Sequence, residues 1–183
     1  LDNYAQIYNN LKQNNSIASL LVYDKDSKRK STISINSRKF IKGNGEIGII
    51  GAGNYTSGII LPQLKKNNAK LAYIASSKGI SSTSLAKKFN IAKSTTKYQD
   101  ILNDSNVDLV LITTRHNSHS KIILESIEAG KNIFVEKPLC INENQLNEII
   151  NAYNKSNSSI VVGFNRRFSP MAQKLKSIIG NKD

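Results

Sequence analysis

Between Glu46 and Phe164, short apolar runs alternate with stretches of helical periodicity, and this alternation limits the fold of the 183-residue chain more than any other feature. The strand-like runs are Glu46 to Ile50, Lys70 to Ala75, Val107 to Thr113, Asn132 to Val135 and Ser159 to Phe164. Helical patterns lie between them: one after the first run to about Lys66, then Ser82 to Phe89, Asn117 to Ala129 and Asn142 to Asn154. Hairpins leave no room for such helices, whereas parallel strands need a crossover of a dozen or more residues. The runs Val107-Asp108-Leu109-Val110-Leu111-Ile112 and Ile160-Val161-Val162 are nearly continuously apolar instead of alternating, as in strands covered on both faces. Ile122, Ile123, Ser126 and Ile127 recur at three- and four-residue spacing, and Gly130 follows at the position of a left-handed cap. The pattern predicts an α/β fold with a doubly wound parallel sheet.

Three segments follow from the same reading. Residues 1–42 form an N-terminal extension, with a helix-like stripe Leu1-Tyr4-Ile7-Tyr8-Leu11, a strand-like Ile17 to Tyr23 and an alternating Thr32-Ile33-Ser34-Ile35. Gly43-Asn44-Gly45 breaks it from the α/β region, residues 43–168. Ser169-Pro170 then sets an N-cap and first helical turn for residues 169–183, the start of a second domain. The chain opens on Leu1, not Met, and reads as a fragment. No apolar run reaches the roughly 18 residues of a membrane span, and no secretory signal opens the sequence. A lone cysteine, Cys140, has no internal partner, which fits a reducing compartment; the cytoplasm is the expected location.

Basic side chains number 26 against 13 acidic, a formal charge of +13. Clustering decides what that means, because polyanion binding needs concentrated cations. Only Lys25 to Lys30 and Ser37 to Lys42 approach a basic run, without interleaved aromatics. A solvated lysine-rich surface is the expectation, with no nucleic-acid or membrane partner.

Gly51-Ala52-Gly53-Asn54-Tyr55-Thr56 follows the first strand of the α/β region and opens its first helix. A first glycine permits the tight turn, a second lets a pyrophosphate approach the backbone, and the free amides with the helix dipole attract its charge. In this context the turn predicts a dinucleotide-binding (Rossmann) domain. The third position is Thr56 instead of Gly or Ala, which weakens the expectation of close helix-to-strand packing, although Gly58 lies a half-turn on. The second strand ends in Ala75-Ser76-Ser77-Lys78, without the carboxylate that takes the ribose hydroxyls of NAD. The cofactor is therefore NAD or NADP, with Ser76, Ser77 and Lys78 tilting the reading toward NADP.

Glu136-Lys137-Pro138 places a lysine at the carboxyl end of a parallel strand, the edge at which such sheets bind ligands. Lys137 could serve a substrate oxygen as hydride leaves the adjoining carbon, or be a surface lysine before a turn. His116 and His119 have no further ligands to complete a zinc set, so no metal is expected. Cys140 reads as a packed side chain, and Arg166 and Arg167 as solvated or anion-clamping.

Gly51-Ala52-Gly53, Thr113-Thr114-Arg115-His116-Asn117-Ser118-His119 and the run Gly130-Lys131 to Glu136-Lys137-Pro138 together resemble the glucose-fructose oxidoreductase and inositol dehydrogenase (Gfo/Idh/MocA) family, over residues 46 to about 170. The passage Val162-Gly163-Phe164-Asn165-Arg166-Arg167-Phe168-Ser169-Pro170 is similar to the family's entry into its second domain. The resemblance implies NAD(P)-dependent oxidation of a small sugar, polyol or related hydroxyl, with Lys137 as the catalytic lysine. The candidate cofactor contacts are Gly51, Gly53, Asn54 and Tyr55 at the glycine turn, Ser76, Ser77 and Lys78 after the second strand, Thr114, Arg115 and His116, His119 in the first turn of its helix facing the cofactor cleft, and Glu136. Thr114-Arg115-His116 departs from the Thr-Pro-Asn of many members. It is similar instead to a subgroup fused to a zinc-type alcohol dehydrogenase, of which residues 1–42 would be the tail. The family's remaining catalytic and substrate groups would lie past Asp183, so this segment alone is expected to be inactive; homo-oligomerisation stays open. A dinucleotide-sensing module without turnover and a basic nucleic-acid-binding domain are the alternatives.

Overall fold

The computed structural model describes residues 30–180; the expected elements at Leu1 to Leu11 and Ile17 to Tyr23 lie outside them. Seven strands form one sheet: β1 (Thr32–Ser34), β2 (Glu46–Ile50), β3 (Lys70–Ala75), β4 (Lys93–Thr95), β5 (Leu109–Ile112), β6 (Asn132–Glu136) and β7 (Ile160–Gly163). Their order is β1-β4-β3-β2-β5-β6-β7. Every neighbouring pair is parallel except β1 with β4.

The helices divide between the two faces. A π-helical turn, Thr56–Ile60, runs into α1 (Leu61–Lys66), and α1 and α2 (Ile80–Phe89) pack Leu61 and Ala86 against Ile49, Leu71 and Ile74. On the other face α3 (Gln99–Leu102), α4 (His119–Glu128) and α5 (Glu143–Tyr153) bring Ile101, Ile122, Ile123 and Ile149 onto Ile50, Val110, Ile112 and Val135. Each such isoleucine, fully buried, contributes roughly 1.5–3 kcal/mol. α4 buries Ile122, Ile123, Ser126 and Ile127 as their spacing predicts, and Gly130 closes it at φ +65°. The α5 N-cap is Asn142, whose side chain accepts from the Gln145 amide. α6 (Pro170–Ile179) is capped in the same way by Ser169.

Two elements escape the sequence pattern. β4 and α3 fall in a stretch without apolar periodicity, and β4 is a polar Lys-Ser-Thr tripeptide. Its buried Ser94 and Thr95 are satisfied by hydroxyl contacts to Ser82 and Thr83 and by the Asp100 carboxylate. Residues 31–42, grouped with the N-terminal extension on sequence grounds, pair and pack with the sheet unit, which begins at Ser31. The Gly43–Gly45 turn is a corner of that unit: the Asp108 carboxylate accepts from the amides of Gly43, Gly45 and Glu46 at 2.8, 2.8 and 2.9 Å.

Burial alone would raise the Asp108 pKa, but the three amides outweigh it and hold the carboxyl below its ordinary value. A depressed folded-state pKa contributes stability above the unfolded value near 3.9 and loses it as pH falls through the folded one. Asp100 titrates in the same direction: burial raises it, and hydroxyls from Thr32, Thr95 and Ser31 prevail. Urea midpoints should therefore drop steeply below about pH 4. Asp108→Asn should flatten that acid limb and cost on the order of 1 kcal/mol at neutral pH, solvent screening keeping it at the low end. An unchanged acid limb would contradict the assignment.

Candidate cofactor site

After β2 the chain turns to β3 and β4 on one side and returns to β5 on the other, so the crossovers diverge between β2 and β5. In open α/β sheets a crevice forms at that point beyond the carboxyl ends of the strands. Here it is a cleft of about 870 Å³, walled by the glycine turn, the ends of β3 and β4, and the loop after β5.

Gly51 makes the turn possible. Its φ is +119°, and a Cβ would lie 2.7 Å from the carbonyl carbon and oxygen of Thr113. Gly53 is the reverse case, since a Cβ there would meet nothing within 4 Å. The Gly53 carbonyl accepts the first helical bond, from the Ser57 amide at 2.9 Å. The amides of residues 54–56 therefore precede any carbonyl that could receive them, the usual state of a helix N-terminus. Unfilled room above a glycine, beside unsatisfied donors, is the shape and charge that a diphosphate fits.

Thr56, in the third glycine position, does not loosen the packing. It is fully buried, and its hydroxyl hydrogen-bonds that of Thr113 at 2.7 Å, joining the helix start to the end of β5. Gly58 takes no part in that approach, having nothing within 4 Å of its Cβ position.

Of the expected residues, the cleft brings together Gly51, Gly53, Ser76, Ser77, Lys78, Thr114 and Arg115. Ser76 spends its hydroxyl on Ser82, at 3.0 Å, while Ser77 and Lys78 are exposed. Thr114 is held by the Ser118 hydroxyl at 2.7 Å. The cleft also gathers Thr96, Lys97 and Tyr98, which sequence reasoning missed with β4. The Tyr98 hydroxyl is pushed up to about 12 by burial and then by the Glu125 carboxylate, so it stays protonated.

Other expected contacts stand elsewhere. Tyr55 and Asn54 are not on the cleft wall; the Tyr55 hydroxyl accepts from Asn165 Nδ2 at 2.6 Å, linking the first helix to the segment after β7. His116 is exposed, and its ring meets that of His119 edge-on, centroids 5.7 Å apart. His119 does not face the cleft, since it is fully buried, with Nδ1 2.8 Å from the Pro138 carbonyl oxygen and Nε2 3.2 Å from that of Thr114. It lies between the loop after β5 and the loop after β6. Among the described residues no three His, Cys, Asp or Glu side chains converge as a metal set.

Glu136 ends β6 with its carboxylate against Gly163 of β7, where a Cβ would fall 2.9 Å from Oε1. That oxygen is buried and has no hydrogen-bond partner among the described residues. Lys137, next along, is exposed at the carboxyl edge of the sheet, outside the cleft wall. Cys140 is half-buried against the core, and Arg167 stacks between the rings of Phe164 and Phe168.

This fold and crevice define a dinucleotide-binding domain. The chain belongs to the Gfo/Idh/MocA oxidoreductase family with an NAD-binding Rossmann fold, whose model matches residues 46–164. An uncharacterized oxidoreductase of Bacillus subtilis, YrbE, is 33% identical over 134 residues, 73% of this chain and 39% of that protein. Myo-inositol 2-dehydrogenase of Thermotoga maritima is 30% identical over 136 residues, 74% and 40% of the two chains. The crystal structure of a probable dehydrogenase from Thermotoga maritima superposes with a TM-score of 0.66 at 30% identity, covering 73% of this chain and 40% of that one. The chain thus spans about two-fifths of the length of the relatives it matches. No described helix is long and apolar enough to cross a membrane.

Proposed function

We propose that this chain is the cofactor-binding part of an NAD(P)-dependent oxidoreductase that acts on a hydroxyl of a small sugar or polyol. The observation that carries the reading is the open room over Gly53 beside the amides of residues 54–56, at the sheet's switch point. Those amides take the diphosphate, and the loop Thr114–Arg115 borders the cofactor on the β5 side. A bound nicotinamide supplies the hydride acceptor. Lys137, at the same edge of the sheet as Thr114 through the pairing of Val135 with Ile112, hydrogen-bonds the substrate hydroxyl and, as the neutral amine, assists removal of its proton as hydride leaves and the carbonyl forms. His119, its ring wedged between the Thr114 and Pro138 carbonyls and able as a neutral imidazole to donate to one of them, positions the two loops. The likeness to the myo-inositol 2-dehydrogenase of Thermotoga maritima supports a polyol as substrate.

The experiment is turnover by the intact protein with NAD or NADP and a panel of polyols beginning with myo-inositol. Lys137→Met should lower kcat by about 100-fold or more, the range of a general acid–base group, with dinucleotide Kd within about twofold of the parent. Turnover that survives this substitution would move the proton-transfer role elsewhere. Dinucleotide binding without turnover of any polyol would favour a sensing module.

A further inference from the structure

We infer that the cleft selects an adenosine carrying a 2′-phosphate, gripped between Lys78 and Lys97; this rests on the cofactor reading above and specifies which dinucleotide it takes. The residues walling the cleft include three cations, Lys78, Lys97 and Arg115, and no Asp or Glu. A ribose with free 2′- and 3′-hydroxyls is normally held by a carboxylate at the end of the second parallel strand. That place is filled by Ser76, Ser77 and Lys78.

Lys97 is the new member, and the fold brings it to the same lip. The Ser76 amide donates to the Thr95 carbonyl at 3.1 Å, joining the ends of β3 and β4. The turn closed by Gly79, whose amide bonds to the Ser76 carbonyl, lies against Thr96, its Cβ position 2.9 Å from the Thr96 methyl. Lys78 and Lys97 therefore leave two touching segments, each one residue from that contact, and both are exposed. The Lys97 backbone is fixed, because Thr95 Oγ1 accepts from its amide at 3.0 Å and bonds its carbonyl at 3.2 Å. The carboxylate nearest in sequence, Asp100, is close enough to feel the Lys97 charge, but its oxygens accept from the hydroxyls of Ser31, Thr32 and Thr95 and it lines a different depression. Two lysines on adjoining segments of the cleft wall, with no Asp or Glu among the lining residues, suit a dianionic phosphate and offer nothing specific to a bare ribose.

Calorimetric titration of this chain with NADP+, NAD+, 2′,5′-ADP and 5′-AMP tests it. NADP+ should bind at least about tenfold tighter than NAD+, and 2′,5′-ADP should exceed 5′-AMP by a similar factor. Lys97→Gln should cut that preference at least about fivefold while moving the NAD+ Kd less than about twofold; Lys78→Gln should do the same. NAD+ binding as tightly as NADP+, or a Lys97→Gln that weakens both alike, overturns the inference while leaving the cofactor reading intact. Binding of neither dinucleotide overturns both.

Discussion

Gly53→Glu is expected to leave the fold intact and abolish dinucleotide binding. A Cβ at this position meets nothing within 4 Å, so the side chain enters open room and its backbone needs no adjustment. That room lies over the free amides that open the first helix. A carboxylate there occupies the diphosphate's volume, satisfies its donors and repels its charge. The loss should exceed about 100-fold in Kd, with a thermal midpoint within a few degrees of the parent. Gly58→Glu serves as the control, because Gly58 sits equally free on the same helix and outside the cleft wall. It should bind within about threefold of the parent, well under one decade. Normal dinucleotide affinity in Gly53→Glu would place the diphosphate elsewhere.

Gly51→Ala acts through the opposite physics. Its φ of +119° is a conformation that alanine avoids, and its Cβ would press on the Thr113 carbonyl at 2.7 Å. Thr113 cannot yield cheaply, because its amide bonds to the Ile50 carbonyl at 2.9 Å and its hydroxyl holds buried Thr56. Backbone strain and a displaced strand end should together cost about 2–4 kcal/mol, read as a lowered urea midpoint at unchanged slope. Dinucleotide affinity falls with it, since the turn that presents Gly53 must move. A cost below about 0.5 kcal/mol would mean that the β2 turn does not need a glycine.

The motif presents these two glycines only as a pair; that a side chain would collide at Gly51 and meet open room at Gly53 follows from how Thr113 packs against the turn, a contact distant in sequence. The apolar strands declared themselves because burial on both faces leaves little choice of residue, as in Leu109–Ile112. β4 did not, because its three polar residues are stabilised by strand neighbours and by hydroxyl contacts from α2 that no local pattern encodes. Lys97 was lost with it. His119 did carry a signal: it stands three and four residues before Ile122 and Ile123, on the buried face of α4, so helical spacing already turned it from the cleft. The third-glycine rule misjudged Thr56 because it counts volume alone, whereas the hydroxyl finds a partner in Thr113. Residues 31–42 were set apart by a glycine turn that proves to be pinned by Asp108, a contact 62 or more residues distant in sequence.

The most direct measurement is a crystal structure of this chain grown with NADP+. The diphosphate should lie between Gly53 and the start of the first helix, its oxygens within about 2.7–3.2 Å of amides in residues 53–56, with the adenosine running toward Lys78 and Lys97. A cofactor bound away from the β2–β5 crevice, with side chains filling the space over Gly53, would contradict the account.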